Sequence, residues 1–161
     1  MKTAVVYYSM CGNTAYAAEK IAKETGADII ELKPVKAYHD KGFKKFFFGG
    51  KSAVMGEKPA LEPYKFNADD YDDIIIGFPV WASRIAPPVR TFIEENKDKL
   101  SEKNISAYAC QSGAGAEKAF KKLKDSLGIA DYKSLMILTD PKDKPSDDNE
   151  RNIKEFCGSL R

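Results

Sequence analysis

The sequence predicts an open α/β fold: a doubly wound, five-stranded parallel sheet with helices on both faces. Three observations lead there. Short apolar runs alternate with segments of helical period along the whole chain. Two of those runs, Ala4-Val5-Val6-Tyr7-Tyr8 and Ile74-Ile75-Ile76-Gly77, are apolar almost throughout, as strands are when helices cover both of their faces. The chain's 161 residues, 43% hydrophobic and 31% charged, can fill one core without disulfides or a structural metal. One domain over residues 1–161 is the expectation.

The elements follow in order. The Ala4–Tyr8 run is the first strand, and a helix from about Asn13 to Thr25 follows it, with Gly26 as its C-terminal stop. Asp28-Ile29-Ile30-Glu31-Leu32 is the second strand. Residues 33–70 break the alternation. They hold the basic and aromatic stretch from Lys41 to Gly50, then Pro59 and Pro63 without a sustained period, and read as one short helix plus an extended excursion.

The Ile74–Gly77 run is the third strand. A helix opening at Pro87-Pro88 follows, where proline is tolerated, and carries Val89, Phe92, Ile93 and Leu100 on one face with Asn96 as its polar member. Ile105–Ala109 is the fourth strand, and Ala116, Ala119, Phe120, Leu123 and Leu127 form the stripe of the next helix. Leu135–Leu138 is the fifth, ahead of a last helix with Ile153, Phe156, Cys157 and Leu160 at i, i+3, i+4 and i+7. Such βα alternation gives the doubly wound sheet.

Composition excludes several functions. Lys and Arg number 26 against 24 Asp and Glu, a formal charge of +2, so no strongly basic field is available for nucleic acid. No apolar run approaches the roughly 20 residues that span a bilayer, so no membrane partner is expected. Cys11, Cys110 and Cys157 form no CxxC pair and His39 is the only imidazole, so no metal site is expected. The N-terminus enters a strand pattern at once, without a signal-peptide layout, and a reducing cytoplasm is the expected setting.

In an open α/β sheet ligands bind beyond the carboxyl ends of the strands, where the strand order reverses. Three loops should meet there. The first, Ser9-Met10-Cys11-Gly12-Asn13-Thr14 after Tyr8, points backbone N–H groups, two hydroxyls and a helix N-terminus at one spot, which suits a phosphate; an ordinary N-cap by Ser9 or Asn13 is the alternative. Spacing removes three rivals. There is no Gly-x4-Gly-Lys motif, Ala17 stands where a cysteine phosphatase needs arginine, and the strand ends Tyr8-Ser9 and Gly77-Phe78 lack the carboxylates of a phospho-accepting receiver.

The second loop, Gly77 to Pro88, carries the single tryptophan, Trp81, read as a loop residue able to stack on a planar ring or else simply to pack the loop down. The third, Cys110-Gln111-Ser112-Gly113-Ala114-Gly115, offers glycines that admit close approach and N–H donors, or is a plain βα turn.

Taken together these loops resemble the flavodoxin family. Ser9-Met10-Cys11-Gly12-Asn13-Thr14 is similar to its Ser/Thr-x-Thr-Gly-Asn-Thr phosphate loop. Gly77-Phe78-Pro79-Val80-Trp81, followed by Ala86-Pro87-Pro88-Val89-Arg90-Thr91-Phe92, is similar to its third-strand loop and helix start. The resemblance covers essentially the whole chain and implies strand order 2-1-3-4-5 in a flavodoxin-like three-layer sandwich that carries non-covalent FMN. It assigns Ser9, Met10, Cys11, Gly12, Asn13 and Thr14 to the phosphate. Pro79, Val80, Trp81 and Ala82 would flank the ribityl chain and ring, and the Cys110–Gly115 loop (Cys110, Gln111, Ser112, Gly113, Gly115) would meet the pyrimidine edge.

The sequence also departs from the family pattern. Cys11 replaces a hydroxyl residue at the phosphate. Ala82-Ser83 stands where electron-carrier flavodoxins have a glycine-bearing loop whose peptide flips toward flavin N5, and their flavin-stacking tyrosine is missing from the third loop. Their acidic surfaces are replaced by a balanced charge, so Arg84 with Lys41, Lys44 and Lys45 would favour an anionic reduced flavin if they lie near the ring.

Flavin performs the redox chemistry, so no protein acid, base or nucleophile is expected. The function implied is an FMN-binding redox protein that carries electrons to a partner protein or reduces a small acceptor such as a quinone. The alternatives are an NAD(P)H-dependent oxidoreductase whose pocket is shaped by residues 33–70, and a flavin-free interaction module. Oligomeric state is open, since the Phe46–Phe48 run suits either core or interface.

Overall fold

The computed structural model describes residues 1–38 and 55–161. The strands are β1 (Thr3–Tyr7), β2 (Asp28–Glu31), β3 (Asp73–Trp81), β4 (Arg84–Ile85), β5 (Asn104–Gln111) and β6 (Leu135–Thr139). The helices are α1 (Asn13–Thr25), α2 (Pro87–Leu100), α3 (Ala116–Leu127) and α4 (Asp147–Ser159). The main strands run in the order β2-β1-β3-β5-β6, all parallel, with β4 a two-residue arm antiparallel to β3. Setting the arm aside, this is the expected 2-1-3-4-5 order.

Strand alternation sorts the core into two layers. Ala4, Val6, Ile74, Ile76, Phe78, Ile105, Ala107 and Ala109 face α2 and α3, meeting Val89, Phe92, Ile93, Phe120 and Leu123. Val5, Tyr7, Ile75, Tyr108, Met136 and Leu138 face α1 and α4, meeting Ala17, Ile21, Ile153 and Phe156. Full burial of each large aliphatic side chain contributes roughly 1.5–3 kcal/mol, so the central strands dominate stability. Asn96, the polar member of the α2 stripe, donates its amide to Phe92 O (2.9 Å) and Tyr64 Oη (3.2 Å), which lets it sit beside the core.

Two elements extend beyond the sequence reading. β3 does not stop at Gly77 but continues through Pro79 to Trp81, so Trp81 ends a strand and is not a loop residue. β1 pairs with β3 only as far as Tyr7↔Gly77. At Phe78 and Pro79 β3 has β5 on one side alone, and a proline without an N–H is accommodated. The chain then reverses through Ala82 (φ 50°) and Ser83 (φ 57°), both left-handed as in a two-residue hairpin, to pair Val80↔Ile85 and Trp81↔Arg84. β5 likewise runs to Gln111, so Cys110 and Gln111 belong to the strand and the third loop is shorter than expected.

In the irregular region, Pro34 bridges to Leu61 and Ala68–Asp70 form a 3-10 turn. The expected short helix, the Phe43 to Phe48 aromatics, Lys41, Lys44, Lys45 and His39 lie outside the described residues. Among the described residues no helix is long and apolar enough to cross a membrane, and no group of three or more His, Cys, Asp or Glu is placed to hold a metal.

Candidate functional site

The carboxyl ends of β1, β3, β5 and β6 surround a cleft that encloses about 120 Å³ and opens to solvent. Ser9, Met10, Cys11, Asn13 and Thr14 line it from the first loop, and Pro79, Val80, Trp81 and Ala82 from the end of β3 and its turn. Cys110 and Ser112 come from β5 and the loop after it, and Asp140 from the loop after β6. Gly12, Gln111, Gly113 and Gly115, also expected at the site, are not among the lining residues. Gln111 instead accepts from the Ala116 N–H at 3.0 Å, which turns its amide to the start of α3.

The first loop is built around Gly12. With φ 97° and ψ −10°, it adopts a left-handed conformation that suits glycine, and it starts α1 without a side-chain cap. Ser9 does not cap the helix; its Oγ accepts the Gly12 N–H at 3.1 Å and folds the loop back. Asn13 does not cap it either. Its Oδ1 accepts the N–H groups of Lys142 (2.9 Å) and Asp143 (3.2 Å), and its Nδ2 donates to Asp143 Oδ2 (3.0 Å), tying the first loop to the loop after β6. The first-turn amides of α1 and the positive end of its dipole are therefore left open at the cleft, which removes the ordinary N-cap alternative.

Two buried contacts hold this loop from below. Tyr108, fully buried on β5, donates its hydroxyl to Thr14 O at 2.9 Å. The ring passes over Gly77, where an added Cβ would lie 2.1 Å from Tyr108 Cζ. Thr14 is itself buried. Burial pushes the Cys110 thiol up to about 12, partly offset by the Thr14 side chain, while Asp140 nearby adds to the rise. Cys110 is thus a protonated packing residue at neutral pH, not a reactive thiolate.

Trp81 is 8% exposed and sits in an aromatic cluster, edge-on to Tyr8 (centroids 5.7 Å) and Tyr38 (5.2 Å). Burial raises the Tyr8 hydroxyl far above the ordinary tyrosine value. The indole therefore closes one wall of the cleft and offers it a narrow strip rather than a free face. Arg84, opposite Trp81 on β4, is not among the lining residues.

The sequence reading missed the loop after β6. Asp140 adopts a positive φ of 40°, accepts Ser112 Oγ at 2.9 Å and pairs with Lys144 at 3.0 Å, so its charge in the cleft is balanced. The available signal was Asp140-Pro141 directly after a strand, a turn-starting pair at the same sheet edge as the other three loops.

Comparison with known proteins agrees with this geometry. The flavodoxin family model matches residues 2–150. A flavoprotein from Bacteroides eggerthii superposes with TM-score 0.75 at 24% identity, covering 98% of this chain and 96% of its own. A flavoprotein from Lactobacillus acidophilus, solved in complex with FMN, superposes with TM-score 0.71 at 22% identity over 88% of this chain and 95% of its own. Megasphaera elsdenii flavodoxin superposes with TM-score 0.60 at 20% identity over 98% and 96%. No curated protein matches the chain in sequence. With a family match over most of its length and the sheet order, helix placement and cleft that go with it, the chain belongs to the flavodoxin family.

Proposed function

We propose that this protein binds FMN non-covalently in the cleft and acts as a redox protein, passing electrons to a partner protein or to a small acceptor such as a quinone. The observation that carries the reading is the uncapped start of α1 at the cleft, with Ser9 and Thr14 beside it. A helix N-terminus without a side-chain cap has spare N–H donors and a favourable dipole for a phosphate dianion. The lining chemistry also suits the group, with polar Ser9, Asn13 and Thr14 beside Met10 on the first loop and apolar Pro79, Val80 and Trp81 from the end of β3.

In this reading the first-loop amides hold the phosphate, and Pro79 to Ala82 with Cys110 and Ser112 border the ribityl chain and ring. The cleft opens to solvent, so an acceptor could reach a group held there. Bound there, FMN supplies the electron-accepting and electron-donating chemistry. The chain's own part is to hold the phosphate, orient the ring and keep the Cys110 thiol out of reaction.

Titration of the protein with FMN, followed by visible absorbance, tests the reading: saturable one-to-one binding is expected. No spectral change at cofactor excess would leave a flavin-free interaction module as the better account. If FMN binds, steady-state NAD(P)H oxidation with a quinone acceptor separates an oxidoreductase, which turns over, from a carrier, which does not.

A further inference from the structure

The first loop and the loop after β6 meet at one point, and a lysine stands there. Asn13 accepts the backbone N–H groups of Lys142 and Asp143 and donates to the Asp143 carboxylate, which fixes the start of the Lys142 side chain beside the phosphate loop. The other end of that side chain lies over Gly12: an added Cβ there would be 2.7 Å from Lys142 Nζ and 3.1 Å from its Cδ. Of the neighbouring carboxylates, Asp140 pairs with Lys144, and Asp143 is turned to Asn13, from whose amide it accepts. Among the described residues Lys142 forms no ion pair, so its ammonium is not committed to a carboxylate. Cys11, meanwhile, has no hydroxyl to donate.

We infer that Lys142 is the counter-charge for the cofactor's phosphate, supplied in trans across the fold from the loop after β6 and held in position by Asn13. The inference rests on the FMN reading above and deepens it. A loop of backbone amides alone neutralises a dianion only through partial charges. An ammonium at the same point adds a full positive charge, and charge-assisted hydrogen bonds to phosphate are about twice as strong as neutral ones. Lys142 would thereby make the site choose FMN over riboflavin, which shares the ring and ribityl chain but lacks the phosphate. Asn13 acts as a positioning residue in this arrangement, not as a phosphate ligand through its side chain.

The test compares wild type with Lys142→Met, which keeps the aliphatic stem, and Lys142→Arg, which keeps the charge. Affinities for FMN and for riboflavin are measured by flavin fluorescence at two ionic strengths. For Lys142→Met, FMN affinity is expected to fall roughly fivefold to tenfold at low salt, with riboflavin affinity unchanged and a weaker salt dependence. Lys142→Arg should retain most of the FMN preference. Equal loss for both flavins would make the lysine structural, and no loss for either would show that its ammonium does not act on the phosphate; each overturns the inference while leaving the FMN reading intact. Failure of the wild type to bind FMN would instead remove that reading and the inference with it. Thermal unfolding of each variant without flavin shows whether the fold is kept.

Discussion

Helices α1 and α3 start on nearly the same backbone. Gly12 has φ 97° and ψ −10°, Gly115 has φ 109° and ψ −9°, and neither residue caps its helix with a side chain. What stands in front of them differs. An added Cβ at Gly12 would meet the flexible end of Lys142, whereas at Gly115 it would meet Ser83 Oγ at 2.8 Å, Ser83 Cα at 3.0 Å and Val80 Cγ1 at 3.2 Å. Both starts line a recess, but Gly115 is packed against the β3–β4 hairpin and Gln111 Oε1 takes the Ala116 N–H, whereas among the described residues no side chain caps α1. A left-handed glycine before a helix therefore does not by itself make an anion site. Whether the first amides are already taken decides, and in this fold the Gln111 side chain takes one at α3 while, among the described residues, none caps α1.

The strongest way to break the contrast is to remove what supports the α1 start. Gly77 leaves room for the Tyr108 ring, and Tyr108 in turn holds Thr14. Gly77→Ala would force a methyl into a buried aromatic with no free volume, so a loss of about 3 kcal/mol is expected, at the upper end for overpacking. Urea unfolding measures it. FMN affinity should fall with stability, since the ring cannot move without releasing Thr14. An unfolding midpoint close to wild type would show that the ring has room to shift.

The two helix starts themselves give a smaller, paired effect. Gly115→Ala forces a left-handed alanine against the Ser83 backbone, which cannot swing aside, and about 2 kcal/mol of stability should be lost. Gly12→Ala carries the same backbone strain, but the atom in its way is the end of a lysine side chain, so about 1 kcal/mol is expected. Binding should reverse the order, with FMN affinity falling more for Gly12→Ala, because displacing Lys142 acts on the cleft directly. Identical effects of the two substitutions on both stability and affinity would erase the distinction between the two starts.

How much of this was legible in the sequence follows from the range of each signal. The helices and main strands come from local periodicity, which is why α1 ends at Thr25 with Gly26 beyond it, as expected. The first loop was legible too, because its chemistry lies in six consecutive residues. The β4 arm was not: two residues carry no period, and their pairing with Val80 and Trp81 exists only once the chain has turned through Ala82-Ser83. A third strand that ends with the apolar run at Gly77 puts Trp81 in a loop, whereas β3 continues through Pro79. The proline is tolerated only because β1 stops at Tyr7, a fact about a different strand. Lys142 and Asp140 were missed for the same reason, since their place beside Gly12 and Ser112 depends on contacts across about 30 to 130 positions of sequence. Residue type alone assigns Gly115 to a ligand, and only the folded chain shows the hairpin filling its Cβ direction.

The cysteines extend the comparison to pH. Cys11, on the first loop, is half-exposed, whereas Cys110, at the end of the strand leading to α3, is buried and its thiol is pushed up to about 12 from an ordinary value of 9. Below pH 9 that thiol is protonated whether the chain is folded or unfolded, and it contributes no slope. Above pH 9 the unfolded chain releases the proton while the folded chain keeps it, so ionisation favours unfolding and stability falls as pH rises toward 12. The fall approaches about 1.4 kcal/mol per pH unit for a single fully shifted group, and a loss of about 1 kcal/mol by pH 10 is expected from this residue. The buried tyrosines add slopes of their own, but those begin near pH 10. The difference between wild type and Cys110→Ala from pH 8.5 to 10, read by urea unfolding, therefore isolates the thiol. The variant should lose less stability across that interval, even though it is less stable at pH 8 through the lost packing. Parallel pH curves for the two proteins would mean that Cys110 ionises as freely in the folded chain as in the unfolded one, and the floor of the cleft would then be wet rather than packed.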